Sequence, residues 1–175
     1  MKSMTLKLTF FFAFMAFCFA ASAQTQYTSF NYKTYKIGFK APTDFKIVKN
    51  STTEFNISST ERGLTFYLRP VKEDASVDVS SAVELAKMAM VDVNAQYTNV
   101  TVTEEADVLL SSGLSGYYMT GTCTNGSVKT TFFAVGVYNA STTMQFKGVG
   151  SYPVDRRSTS NYDVCKRILQ SMQVI

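Results

Sequence analysis

Three carboxylates in one short stretch, Glu104, Glu105 and Asp107, and two cysteines, Cys123 and Cys165, are the residues whose types and spacing could support chemistry. In an extended strand Glu105 and Asp107 point the same way, as a hard-cation site or a glycoside-cleaving pair would need. Nothing nearby supplies further ligands, so a solvated strand end is the preferred reading. The chain contains no histidine. That excludes nucleophiles activated by His, His-based zinc motifs and imidazole acid–base catalysis. Gly113 and Gly116 lack P-loop spacing, and the 72–78 segment KEDASVD lacks the acidic alternation and central glycine of a calcium loop. The absence of Trp weakens a carbohydrate-stacking reading. No cofactor or metal is expected. An enzyme using carboxylates or tyrosines is the one catalytic class left, and a non-enzymatic protein is preferred.

How the thiols behave depends on the compartment. Lys2 and Lys7 precede an apolar run from Leu8 to Ala21, which closes on Ala21-Ser22-Ala23, the small-x-small pattern of signal-peptidase sites. The run is about 14 residues, against the roughly 20 needed to span a bilayer. Residues 1–23 therefore read as a signal peptide cleaved after Ala23, and the product as periplasmic or secreted, without a transmembrane span. Phe17 before Cys18 makes a poor lipobox, so Cys18 leaves with the leader. Of 17 basic residues Lys2 and Lys7 leave too, against 13 acidic ones, so the mature chain is close to neutral and nucleic acid is not an expected partner. Two thiols then remain in an exported chain, which favours a Cys123–Cys165 disulfide. It would close a loop of about 40 residues and contribute ~3–4 kcal/mol. Two separate buried thiols are the alternative.

The elements that must position these residues follow from hydrophobic period. YKIGFKAP (35–42), EFNIS (54–58) and LTFYLRP (64–70) alternate as half-buried strands, and DFKIV (44–48) is a short extended piece. From Val79 to Tyr97 the apolar spacing changes to three and four, which predicts an amphipathic helix with Ser81 and Glu84 as a capping box and Asp78 as a rival cap. Strands resume at VTVTEEA (100–106) and SGYYMTGTCT (115–124). Asn125-Gly126 marks a hairpin into SVKTTFFAVGVY (127–138), and MQFKGVG (144–150) is the last strand. A final helix carries the stripe Val164, Cys165, Ile168, Leu169 and Met172. Residues 24–34 show no clear alternation and read as a flexible mature N-terminus. Residues 35–175 read as a single α+β domain, an antiparallel sheet with helices packed on it.

The Pro-turned opening YKIGFKAPTDFKIV resembles the start of the PsbP-like domain family, as do the mid-chain helix SSAVELAKMAM, the strand GLSGYYM, the hairpin and the closing ILQSMQ. The resemblance spans residues 35 to 174 and rests on layout. It implies a small α/β/α sandwich and a non-enzymatic role in binding another protein, and it carries over no functional residue.

Tyr27, Phe30, Tyr32 and Tyr35 crowd the mature N-terminus and form the candidate interaction surface. Tyr67, Tyr118 and Tyr138 lie opposite the clearest apolar sets. They either extend that surface or belong to a second layer of core. Lys36, Lys40 and Lys46 read as lysines that block unwanted pairing at a strand edge. The expected function is protein binding at the cell envelope. The alternative is a carrier of a small apolar ligand held between sheet and helix, with the Met and Phe side chains as its walls.

Overall fold

The computed structural model describes residues 25–71, 79–111, 113–139, 144–156 and 159–175. Residues 1–24, with the expected signal peptide, residues 72–78, with the rival cap Asp78, and residues 112, 140–143 and 157–158 lie outside the described residues. In chain order the elements are β1 (Tyr27–Tyr32), β2 (Ile37–Pro42), β3 (Lys46–Asn50), β4 (Phe55–Ser59) and β5 (Leu64–Pro70). Then come α1 (Ala82–Gln96), β6 (Thr98–Leu109), β7 (Ser115–Asn125), β8 (Val128–Asn139), β9 (Met144–Pro153), α2 (Thr159–Gln170) and β10 (Gln173–Val174). This is the expected α+β architecture, with helices on antiparallel sheets.

Two antiparallel sheets form. The larger has the order β3-β4-β5-β9-β8-β7-β6 and the smaller β1-β2-β10. Side chains alternate along a strand, so each strand of the large sheet feeds two layers. On β8, Phe132 and Ala134 face a cluster with Ala89, Met90 and Val93 of α1. Phe133, Val135 and Val137 face the other side, where the small sheet and α2 supply Tyr32, Ile37, Phe39, Ile168 and Leu169. Burial of each such side chain contributes roughly 1.5–3 kcal/mol.

Segment 27–32, expected to be flexible, is strand β1, paired with β2 from Tyr27↔Pro42 to Tyr32↔Ile37. Phe30 and Tyr32 alternate inward on it, a pattern only two residues long and therefore weak in the sequence. The C-terminal β10 was also not expected. Two residues carry no period, and they form a strand because Gln173 and Val174 pair with Gly38 and Ile37 of β2.

α1 starts where Ser81 Oγ accepts from the Glu84 N–H at 3.3 Å. The return bond goes one residue further back, with the Glu84 carboxylate accepting from the Ser80 N–H at 2.7 Å. The expected hairpin forms with Asn125 paired to Val128, so its turn residues are Gly126 and Ser127, one position later than read. Gly126 takes φ +58°, where a side chain would be strained. The stripe Val164, Cys165, Ile168 and Leu169 on α2 is wholly buried, and so is Met172, which lies past the end of the helix. Among the described residues no helix is long and apolar enough to cross a membrane.

Candidate functional site

The four aromatics expected to form a surface do not share one. Tyr32 is 0% exposed and Phe30 7%. Phe30 stacks on Phe39 with centroids 5.9 Å apart, and Tyr32 packs against Phe55 at 5.3 Å. The hydroxyls of Tyr32 and Tyr35 donate to the carbonyls of Ser51 (2.5 Å) and Thr52 (2.6 Å). Together they fasten the small sheet over the large one. Tyr27 lines a surface pocket. Tyr67 and Tyr118 are buried, so they belong to the two core layers.

Cys123 and Cys165 are free thiols, in place of the expected disulfide. Cys123 lies in the layer under α1 and Cys165 in the layer under α2, on opposite faces of the large sheet. Each reads as apolar in its own element, and the sequence does not show that a sheet separates them. Burial raises their pKa values, to about 11 for Cys123 and about 12 for Cys165. In the native state neither is expected to react with iodoacetamide, and guanidinium is expected to expose both. Intact mass after alkylation, with and without reductant, checks this. A non-reduced, unfolded mature chain that stays unlabelled at both cysteines would restore the bond.

The carboxylates of β6 separate as well. Glu104 accepts hydrogen bonds from the Tyr118 hydroxyl and, at 2.6 Å, from the Tyr162 hydroxyl of α2. The Lys166 ammonium sits over both rings. These two hydroxyls hold Glu104 below the usual carboxylate range. Glu105 and Asp107 stand exposed on the other side of the strand, opposite Met119 and Tyr117. Among the described residues no group of three or more His, Cys, Asp or Glu could hold a metal.

A different surface gathers the polar chemistry. α1 packs across β7, β8 and β9, and the same face of β4 and β5 continues beyond its edge. A groove of about 410 Å³ opens there, lined by residues that include Glu54, Asn56, Tyr67, Arg69, Tyr97 and Ser151. Cross-strand register makes it, since Asn56 of β4 lies opposite Tyr67 of β5, and Tyr67 opposite Val149 of β9. A relay of ion pairs runs along one wall. Arg69 meets Glu54 at 2.7 Å and Asp92 of α1 at 3.5 Å. Lys49 meets Glu54 at 3.6 Å, and Lys147 meets Asp92 at 2.9 Å. The Arg69 guanidinium lies 4.5 Å over the Tyr67 ring, and the Tyr97 hydroxyl bonds Ser151 Oγ at 3.2 Å.

Partial burial works to raise the pKa of Glu54, but the bond and charge of Arg69 outweigh it and hold the carboxyl low. Burial, reinforced by the charge of Asp92, raises that of Tyr67. Asp44 is likewise held low against burial by the Ser59 hydroxyl and Arg62. The groove therefore presents fixed charges and hydrogen-bonding groups. The residues behind it were legible only as outward strand positions. Their convergence depends on register among β4, β5, β9 and α1, which no local pattern encodes. The space between sheet and α1, where an apolar ligand was one expectation, is lined by Ala89, Met90, Val93, Phe132 and Val149 packed together.

No family profile matches the chain, and no curated protein does. Solved structures do. The Ran-binding protein Mog1p of Saccharomyces cerevisiae superposes with a TM-score of 0.61 at 10% identity, over 86% of this chain and 96% of that one. LpqN, involved in cell envelope biogenesis of Mycobacterium tuberculosis, superposes with a TM-score of 0.56 at 14% identity, over 89% of this chain and 94% of that one. At these identities the likeness is one of fold.

Proposed function

We propose that the protein is an exported, non-enzymatic module of the cell envelope, built on the PsbP-like layout, that binds a protein partner through the groove beside α1. The observation that carries this reading is the pre-organised set of Arg69, Tyr67 and Tyr97 on a sheet face that α1 leaves open. Arginine and tyrosine are enriched at protein interfaces, where a few anchored side chains supply most of the binding energy. Here ion pairs fix Arg69 before any partner arrives, which lowers the ordering cost of association. The apolar run of residues 8–21 and its Ala21-Ser22-Ala23 ending support a place outside the cytoplasm. The Ran-binding role named for Mog1p and the envelope role named for LpqN are compatible with such use of the fold.

The test is crosslinking and pull-down from native envelopes with a C-terminally tagged protein, wild type against Arg69→Ala/Tyr97→Ala. Loss of two anchors is expected to lower capture of a specific partner by about tenfold or more. Glu61→Ala, away from the groove, serves as the control. Equal capture by wild type and the double variant would remove the groove from the reading. Recovery of the protein alone would remove protein binding.

A further inference from the structure

A second surface site lies on the opposite layer, where α2 meets the small sheet. A pocket of about 530 Å³ opens between Tyr27 of β1, Lys40 of β2 and the end of α2, with Arg167, Gln170 and Ser171. Tyr27, Ser29 and Asn31 share a face of β1 with Gly38, Lys40 and Pro42 of β2, the face turned away from the core. None of the described residues lining the pocket is acidic. Asp163 lies one turn before Arg167, yet no ion pair joins Arg167 or Lys40 to a carboxylate among the described residues. This contrasts with the groove beside α1, where the cations are answered by Glu54 and Asp92.

The Arg167 side chain is held in place, and so is the backbone that carries Lys40. The Arg167 guanidinium sits 5.5 Å over the Tyr27 ring. Ser171 Oγ accepts from the Lys40 N–H at 2.8 Å, and it donates to the Ile168 carbonyl at 3.0 Å. The end of a helix normally repels anions, because its last carbonyls point outward unpaired. Here those of Arg167, Ile168 and Leu169 accept from Ser171 N, Ser171 Oγ and Met172 N. The negative end is muted where the pocket opens.

We propose that this pocket binds a phosphate-type oxyanion, either a soluble phosphoester or the headgroup of an anionic lipid. A planar carboxylate is satisfied by one arginine fork. The lining of this pocket combines an arginine of α2, a lysine of β2, the Tyr27 phenol of β1 and the Gln170 amide, groups carried by three different elements. That arrangement fits a tetrahedral group with several acceptor oxygens.

Titration of the isotope-labelled mature protein with inorganic phosphate, at constant ionic strength against chloride, tests it by amide shifts. Saturable shifts are expected at Tyr27, Lys40, Gln170 and Ser171. Arg167→Gln and Lys40→Gln are each expected to weaken binding about tenfold, the effect of losing a charge-assisted hydrogen bond. Lys33→Gln, an exposed lysine elsewhere, should leave it unchanged. Both pocket lysine and arginine are exposed, so the folded state survives either change. Shifts that never saturate, or that persist in both pocket variants, or that fall equally in Lys33→Gln, overturn the proposal. Sedimentation with phosphatidylcholine vesicles, with and without phosphatidic acid, separates the sources. Binding that needs phosphatidic acid and Arg167 assigns a headgroup. Saturable phosphate binding without sedimentation assigns a soluble phosphoester.

Discussion

Gly136→Ala is expected to destabilise the fold by about 3 kcal/mol or more, a large share of what a domain of this size possesses. Gly136 lies on β8 directly under the start of α1. A Cβ there would stand 1.9 Å from the Ala82 carbonyl oxygen, 2.6 Å from Ala86 N and 2.8 Å from Leu85 Cβ. Two of those atoms are helix backbone, which no rotamer change can move. The helix face above is built to match, with Ala82, Ala86 and Ala89 buried along one line and Ala134 beside Gly136 on the strand. Small residues on both surfaces let α1 approach closely, and one methyl group lifts it. Because Asp92 sits on the same helix, lifting α1 also strains the Arg69–Asp92–Lys147 pairs of the groove. Guanidinium unfolding of Gly136→Ala against Gly113→Ala makes the comparison. Gly113 has φ +73° and open space around it, so its variant should lose only the ~1–2 kcal/mol of a left-handed residue. A Gly136→Ala variant as stable as wild type would mean that α1 is not seated on β8.

Both helices and strands β2, β4 and β5 were legible because each buries one face and leaves a period behind. What the period does not state is which layer covers that face. Cys123 and Cys165 both carry an apolar signal, and a disulfide followed naturally from it. Their separation by the large sheet follows from the face of β7 that Cys123 takes and from α2 packing on the opposite face, a property of the tertiary arrangement and not of either segment. The aromatic N-terminus carries an ambiguous signal for a related reason. Phe30 and Tyr32 are core only because β2, itself packed over β4 and β5, offers β1 an edge. The groove beside α1 was invisible for a third reason. Glu54, Arg69, Asp92 and Lys147 are far apart in the chain, and each alone is an unremarked charge on an outward position. The one hint is that Glu54, just before β4, and Arg69, on the neighbouring β5, carry opposite charges, as cross-strand partners do.

The layering itself is open to a direct test on β8. Phe132 and Phe133 are neighbours in sequence, are 0% and 1% exposed, and point to opposite faces. Phe133 stacks on Tyr118 with centroids 4.8 Å apart and meets Tyr162 edge-on at 6.2 Å, on the side of α2. Phe132 lies with Ala89, Met90 and Val93 on the side of α1. Each Phe→Ala change is expected to cost about 3–5 kcal/mol, from lost transfer energy and the cavity left behind. The stacked pair adds ~0.5–1.5 kcal/mol at Phe133. A sheet solvated on one side would give a different result, with one substitution severe and the other mild. Denaturant midpoints of the two variants separate these cases. Position 133 carries a second signature, since removing its ring takes away the surface on which Tyr118 and Tyr162 are arranged around Glu104. Tyrosine ring resonances near Glu104 should therefore shift in Phe133→Ala and stay in place in Phe132→Ala. Equal effects on those resonances would mean that the two faces are not insulated by the sheet, and the two-layer core would have to be redrawn.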